Sequence, residues 1–254
     1  MAEKIGDIKA QLQAATNIDD YKNFCEKYAS DERAGVKKLI ESAGKHITTI
    51  ENEKKRLYDM RAYERLHADK KYICGIDEVG RGPLAGPVYA AAVILPADAE
   101  ILYINDSKKL SEKKREELYK EIYDKAISVG IGFSDHKRID EINILQATYE
   151  AMAKAVANLS VKPDILLIDA VHIPQLEEYQ QESIIKGDAK SVSIAAASII
   201  AKVTRDRLMA ELDDKYPGYG FAHNKGYGSA DHIEALRNIG PCEIHRRTFI
   251  KNFM

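Results

Sequence analysis

The chain has 254 residues, 45% of them hydrophobic, and its 38 Lys and Arg stand against 40 Asp and Glu, a formal net charge of -2. This is enough apolar material for one large domain, or a medium domain with an appendage, and it excludes a small disulfide-stapled scaffold. No global charge signals a nucleic-acid partner, so any basic footprint has to be local.

The N-terminus, MAEKIGDIKAQLQ, lacks the apolar stretch of an export signal, and no segment approaches the roughly 18 apolar residues that a membrane span needs. Cys25, Cys74 and Cys242 are odd in number and widely separated, which argues against a disulfide framework or a zinc cluster. A soluble protein of the reducing cytoplasm, without a membrane partner, is the expectation.

Up to about residue 68 the chain is rich in Lys, Glu, Ala and Leu, has no proline, and repeats apolar residues at helical intervals. This predicts a helical extension over residues 1–68. Asn17, Asp19 and Asp20 are candidate caps for a short helix through Phe24 and Tyr28, and Ser30 for a longer one from Asp31 past Leu57, with Gly35 and Gly44 as possible breaks. Lys54, Lys55 and Arg56 either grip duplex phosphates or solvate a helix, and the second reading is preferred.

From Lys71 the texture changes, and residues 69–254 read as one α/β domain. Strand-like runs YICGID, VYAAAVIL, VGIGF, DILLID and ESIIKGD alternate with helical stretches after Ser111, around ILQATYEAMAKAVANL, and over SIAAASIIAKVTRDRLMAELDDKY, which Pro217 and Gly218 end. Near-continuous apolar strands point to a sheet covered on both faces.

Three of these runs end in acids: Asp77 with Glu78, then Asp169, then Asp188 after Lys186 and Gly187. Any one of them is explained by the polarity of turns, but their recurrence is not. In open α/β sheets functional groups gather beyond the carboxyl ends of strands, so neighbouring strands would bring four carboxylates together. Such a group repels itself unless cations sit within it, and hard oxygen donors without His or Cys favour Mg²⁺ or Mn²⁺ over Zn²⁺. Two ions about 4 Å apart serve phosphodiester hydrolysis. Adjacent strand residues face opposite ways, so the turn is expected to begin at Asp77 and Glu78. Asp77 is the expected bridging ligand, and Glu78 contributes from the bend by its side chain or main-chain carbonyl.

The loop that follows, GRGPLAGP, offers glycine amides, the cation Arg81 and two stiffening prolines, a combination suited to a sugar-phosphate backbone and to sensing a ribose 2′-hydroxyl. An ordinary tight turn would look the same, and neither GxGxxG nor a P-loop is present. NDSKKLSEKKRE sets Ser107, Lys108 and Lys109 before a helix capped by Ser111: a phosphate contact or a solvated charge run. YPGYGFAHNKGYG mixes Tyr219, Phe221 and Tyr227 with His223 and Lys225, as stacking platforms and core aromatics both do.

Taken together, GIDEVGRGPLAGPV, NDSKKLSEKKRE, LLIDA, KGDAKSVSIAAASIIAKVTRDR, YPGYGF, KGYG and GPCEIHRRTF closely resemble bacterial ribonuclease HII, the type 2 ribonuclease H, over most of residues 71–250. The resemblance implies a ribonuclease H-like mixed sheet flanked by helices. It also implies hydrolysis of the RNA strand in RNA–DNA hybrids and cutting on the 5′ side of a lone ribonucleotide in duplex DNA, leaving 3′-hydroxyl and 5′-phosphate ends. Its four acids map onto Asp77, Glu78, Asp169 and Asp188. Its GRG motif, which meets the 2′-hydroxyl, maps onto Gly80, Arg81 and Gly82, and its substrate-sensing tyrosine maps onto Tyr227. Two departures stand out: Ala170 replaces the Gly that many members carry after the third acid, and the histidine of HKGY is displaced to His223, which receives no role. A monomer is expected. Ribonuclease HIII, with another N-terminal domain and acid set, is the rival within this chemistry. A non-catalytic hybrid-binding module is the rival outside it, disfavoured because metal-free acids would repel phosphate.

Overall fold

The computed structural model describes residues 3–253. The chain divides into two compact units, Met1–Asp59 and Met60–Met254. In the first, α1 (Ile5–Ala14), α2 (Ile18–Tyr28) and α3 (Ala34–Met60) enclose a core of Ile8, Leu12, Phe24, Tyr28, Val36 and Ala43. The four-residue spacing of Ile8 with Leu12 and of Phe24 with Tyr28 puts each pair on one helical face. Asn17 caps α2 as expected, accepting from the Asp20 N–H at 2.9 Å. Ser30 does not cap α3. Asp31 instead pairs with the Arg33 guanidinium at 2.6 Å and accepts its N–H at 3.0 Å, which shapes a turn and delays the helix to Ala34. Neither Gly35 nor Gly44 breaks it.

The second unit opens with α4 (Ala62–Leu66) and carries β1 (Ile73–Val79), β2 (Val88–Ile94), α5 (Glu112–Lys125), β3 (Ser128–Ser134), α6 (His136–Ala157), β4 (Ile165–Asp169), β5 (Gln180–Ile184), α7 (Val192–Lys215), α8 (Phe221–Asn224), α9 (Ala230–Ile239) and α10 (Arg247–Ile250). The sheet order is β3-β2-β1-β4-β5; β2 is antiparallel to both neighbours, and β4 is parallel to both of its own. The sheet is covered on both faces, as its apolar strands require. Cys74, Ile76, Leu166 and Ile168 join the core that α6 supplies with Ala147, Ala151, Met152 and Ala155. Ile165 and Leu167 pack with Ile194 of α7 on the other side.

Small residues let α7 approach closely. A Cβ on Gly75 would lie 2.0 Å from the Ser193 carbonyl carbon, so only glycine allows β1 and α7 to touch there. The start of α7 is capped by Ser191, whose hydroxyl accepts from the Ile194 N–H at 3.2 Å. Glu64 of α4 adds an anion at that positive helix end, accepting from the Ser191 hydroxyl at 2.6 Å and the Ser193 N–H at 2.9 Å.

Two features depart from the sequence reading. The helix expected around ILQATYEAMAKAVANL starts earlier, at His136 with Asp135 as its cap, and kinks at Asn143, where φ is 69°. Asn143 restarts it by accepting from the N–H groups of Leu145 and Gln146 at 2.9 and 3.1 Å. The region after Tyr216, to which the sequence reading assigned no helix, forms α8, α9 and α10 around a second core of Leu84, Ala85, Met209, Phe221, Leu236, Ile244 and Ile250. Among the described residues, no helix is long and apolar enough to cross a membrane.

Candidate active site

The carboxylates lie where two strands part. β1 does not turn at Asp77, contrary to the expectation from alternation. It continues to Val79, pairing Asp77, Glu78 and Val79 with Ala91, Ala90 and Tyr89 of β2. On its other edge, pairing with β4 stops at Ile76 with Ile168. The two edges of β1 therefore end at different residues, and a crevice opens beside Asp77 while its strand is still held by β2.

Alternation assigns the faces. Asp77 follows Gly75 on the α7 face, and Asp169 follows Ile165 and Leu167 on the same face. Asp77 is 4% exposed and takes the Glu78 N–H at 2.7 Å. The Ser198 hydroxyl on α7 favours its charged form. Ser107 and Ser198 share a hydrogen bond of 2.9 Å, so Ser107 is buried and supports Asp77 from behind, while Lys109 is exposed. Asp169 accepts the Gly187 N–H at 2.7 Å, which ties the end of β4 to the turn carrying Asp188. Lys186 enters that turn with φ 58°, and Asp188 is buried within it. Ala170, where many relatives would place glycine, has φ 58° and turns the chain away from the site.

Glu78, on the alternate face, reaches the crevice from the open edge. Its Oε1 makes a loose 3.4 Å ion pair with Arg81, and its Oε2 is buried with no partner. Burial raises the Glu78 carboxyl, with Asp169 adding to the rise and Arg81 opposing it. Burial also raises Asp77 well above its usual range, reinforced by the Glu78 and Asp169 charges. Asp188 is raised by burial and then by Asp106 and Asp169. For Lys108 burial works against the charge, but Asp77, Asp106, Asp188 and Asp169 outweigh it and its pKa rises. Lys108 is exposed, and the charges of these four carboxylates act on it. Asp106 was missed by the sequence reading; its signal was its place beside Ser107 in the same motif.

Among the described residues, no three His, Cys, Asp or Glu side chains stand together as a ready-made ion cage. Asp77 and Asp169 are turned instead to local donors, the Glu78 N–H and the Gly187 N–H. The donor set nonetheless fits a divalent ion. It is all oxygen, and it holds one buried carboxylate oxygen with no partner, Glu78 Oε2.

The GRGPLAGP loop is held from beneath by two buried arginines that the sequence reading also missed. Arg246 donates from Nε to the Gly86 carbonyl at 2.9 Å, and from its two terminal nitrogens to the carbonyls of Arg81 at 2.8 Å and Gly80 at 2.5 Å. Arg205 donates to the carbonyls of Pro87 at 2.9 Å, Lys225 at 2.9 Å and Ala85 at 3.2 Å. Planar trans peptides then turn the N–H groups of Arg81 and Gly82 away from Arg246. Gly80 has φ 89°, and a Cβ there would sit 2.2 Å from Arg205 Nε. At Gly82 a Cβ would meet only Tyr227 Cε1, at 3.8 Å. Tyr227 is 41% exposed, with the Arg205 guanidinium 6.0 Å from its ring centre. Tyr219 and Phe221 are core: both are buried and they stack on each other at 5.3 Å. His223 is exposed on α8.

A mixed five-stranded sheet with helices on both faces and acids at the ends of β1 and β4 defines a ribonuclease H-like fold. The ribonuclease HII family model matches residues 74–252, the model of the ribonuclease HII N-terminal domain matches residues 4–67, and the chain belongs to the ribonuclease HII family. It is 65% identical over 249 residues to the ribonuclease HII of Lachnoclostridium phytofermentans, covering 98% of this chain and 97% of that one. It is 56% identical over 235 residues to that of Acetivibrio thermocellus, covering 92% and 91%. The structure of ribonuclease H2 from Pyrococcus horikoshii aligns with a TM-score of 0.59 at 30% identity, covering 70% of this chain and 93% of that one. With relatives this similar, the chain is an endonuclease of the ribonuclease H class.

Proposed function

We propose that this chain hydrolyses the RNA strand of RNA–DNA hybrids and cuts on the 5′ side of single ribonucleotides embedded in duplex DNA, leaving 3′-hydroxyl and 5′-phosphate ends. Its cellular task is then removal of ribonucleotides during DNA replication and repair, in the cytoplasm and as a monomer. The observation that carries the reading is the continuity of β1 with the GRG loop. Asp77 and Glu78 lie three and two residues before Gly80, so the acids and the ribose gauge are one rigid piece.

In this reading Asp77, Glu78, Asp169 and Asp188 would hold two divalent ions, Mg²⁺ or Mn²⁺, with Asp77 as the central ligand. When bound, such ions would supply the positive charge that stabilises both the attacking and the leaving oxygen of the phosphodiester. Ser198 and Ser107 keep the Asp77 carboxylate aimed into the crevice. Lys108 balances the acids before ions arrive and then faces substrate phosphate, with Lys109 at the rim. The outward amides of Arg81 and Gly82 meet the ribose, and the Tyr227 ring closes over the sugar beside Gly82. Cleavage then depends on one ribose rather than on base sequence. We further assign the catalytic work to residues 69–254 and leave residues 1–68 as the helical extension.

The test uses a duplex with one ribonucleotide, an all-DNA duplex and an RNA–DNA hybrid, each with Mg²⁺, Mn²⁺ or chelator. Cutting of the first and third with ions, and extension of the products by a polymerase, are expected. Cleavage of the all-DNA duplex, or of any of them in chelator, would contradict the proposal.

A further inference from the structure

The acids and the ribose loop leave the segment GPCEIHRRTF with a histidine unused. His232 of α9 and His245 of that segment are both fully buried, and their Nε2 atoms lie 3.0 Å apart. Each end of the pair meets a main-chain group with a fixed role. The Cys242 N–H donates to His245 Nδ1 at 3.0 Å, so that nitrogen carries no proton. The Tyr227 carbonyl lies 2.8 Å from His232 Nδ1 and only accepts, so that nitrogen does carry one. One arrangement satisfies both ends: two neutral rings, with His245 Nε2–H donating to His232 Nε2. The Phe221 ring meets His232 edge-on at 5.3 Å and the Tyr219 ring lies 4.9 Å from His245, so the pair is walled by aromatics.

Tyr227 needs such an anchor. It follows Lys225 at φ 52° and Gly226 at φ 84°, on a turn with no regular structure of its own, yet its ring must stay beside Gly82. Its carbonyl takes N–H groups from His232 and, at 2.8 Å, from Ser229. We propose that His232 and His245 are positioning residues for Tyr227: the oriented chain from Cys242 N–H to the Tyr227 carbonyl fixes the turn and so sets the ring where the ribose is read. This rests on the reading of Tyr227 as the residue that meets the substrate. Burial lowers the pKa of both histidines, which keeps the rings neutral as the chain requires.

The test is cleavage of a duplex with one ribonucleotide, read as kcat and KM in a double-mutant cycle. Tyr227→Ala is measured first, and lost activity is expected. His232→Phe keeps the ring and removes the donor; about a tenfold fall in kcat is expected in the wild-type background, and none beyond that of Tyr227→Ala when the two are combined. Equal losses in both backgrounds would show a merely structural histidine and overturn the proposal. Should His232→Phe not fold, two other variants decide. Asn places an amide N–H near the position of Nδ1, and Gln places one near Nε2, so Asn is expected to retain cleavage and Gln to lose it; equal loss overturns the proposal. A Tyr227→Ala enzyme that cuts like wild type would overturn the substrate-facing reading of Tyr227, and this inference with it.

Discussion

Asp77 pairs with Ala91 across the β1–β2 ladder, one residue beyond Ile76, where β1 last pairs with β4. That offset makes the site. A carboxylate at a frayed strand end would drift, whereas Asp77 stands at an open edge on a backbone that β2 still fixes, with Ser198 behind it. The loop beyond Val79 inherits this rigidity and adds the grip of Arg246 and Arg205.

The two glycines of the GRG motif are predicted to fail differently. Gly80→Ala forces a Cβ to 2.2 Å from Arg205 Nε at φ 89°, and a loss of about 3 kcal/mol or more of stability in denaturant unfolding is expected. Gly82→Ala meets nothing closer than 3.8 Å, so stability changes by less than about 1 kcal/mol while cleavage at a ribonucleotide falls steeply. Arg246→Lys keeps the charge but loses the fork on the Gly80, Arg81 and Gly86 carbonyls. It should cost about 2–4 kcal/mol and weaken discrimination between ribose and deoxyribose.

Ala170 offers a gain. Its φ of 58° costs a residue with a Cβ about 1–2 kcal/mol, and glycine's greater freedom when unfolded returns about half of that. Ala170→Gly is expected to raise the thermal midpoint by about 1 °C, measured by calorimetry. An unchanged or lower midpoint would show that the left-handed turn carries no strain.

Acid should weaken the second core through His245. Burial, the His232 ring beside it and then Arg247 and His136 pull its pKa down from the usual 6.5 to about 4. The unfolded chain therefore binds the proton first, and stability rises with pH between about 4 and 6.5 and is flat above. The stability of wild type minus that of His245→Gln isolates this part and should grow across that window by roughly 3 kcal/mol. A difference independent of pH would contradict it.

The acids have the opposite sign. Raised pKa values at Asp77, Glu78 and Asp188 mean that the fold is penalised as pH rises through the carboxylate range, because burial first, and the neighbouring charges after it, disfavour the ionised forms. A divalent ion removes that penalty. Mg²⁺ or Mn²⁺ at about 100 times its dissociation constant is expected to stabilise the protein by about 2.7 kcal/mol at neutral pH. Asp77→Asn should abolish most of the shift in thermal scans.

Much of this was legible in the sequence. Acids recurring at the ends of apolar runs pointed to one crevice, and Asn17, Ser111 and Ser191 sit where caps were expected or the helical texture begins. What escaped had a physical reason. A strand's two edges can end at different residues, which a one-dimensional pattern of apolar and polar residues does not encode, so β1 was cut short at Asp77. Arg246 is 166 residues from Gly80 in the chain and reads as one more cation in an HRR run until the fold buries it. Asp106 drew no reading, because only the tertiary arrangement sets its carboxylate against Asp188. His232 and His245 carry no signal until α9 brings their rings together.

The central claim is that Asp77 on its β2-braced strand organises the ions that cut beside a ribose. Its most direct test is single-turnover cleavage of a duplex with one ribonucleotide by wild type and Asp77→Asn, across a Mg²⁺ and Mn²⁺ titration. The account predicts cutting at the 5′ side of the ribonucleotide by wild type, and loss of activity by a factor of at least about 1,000 in the variant at every ion concentration. Asp77→Asn that retains ion-dependent cleavage at that position would contradict it.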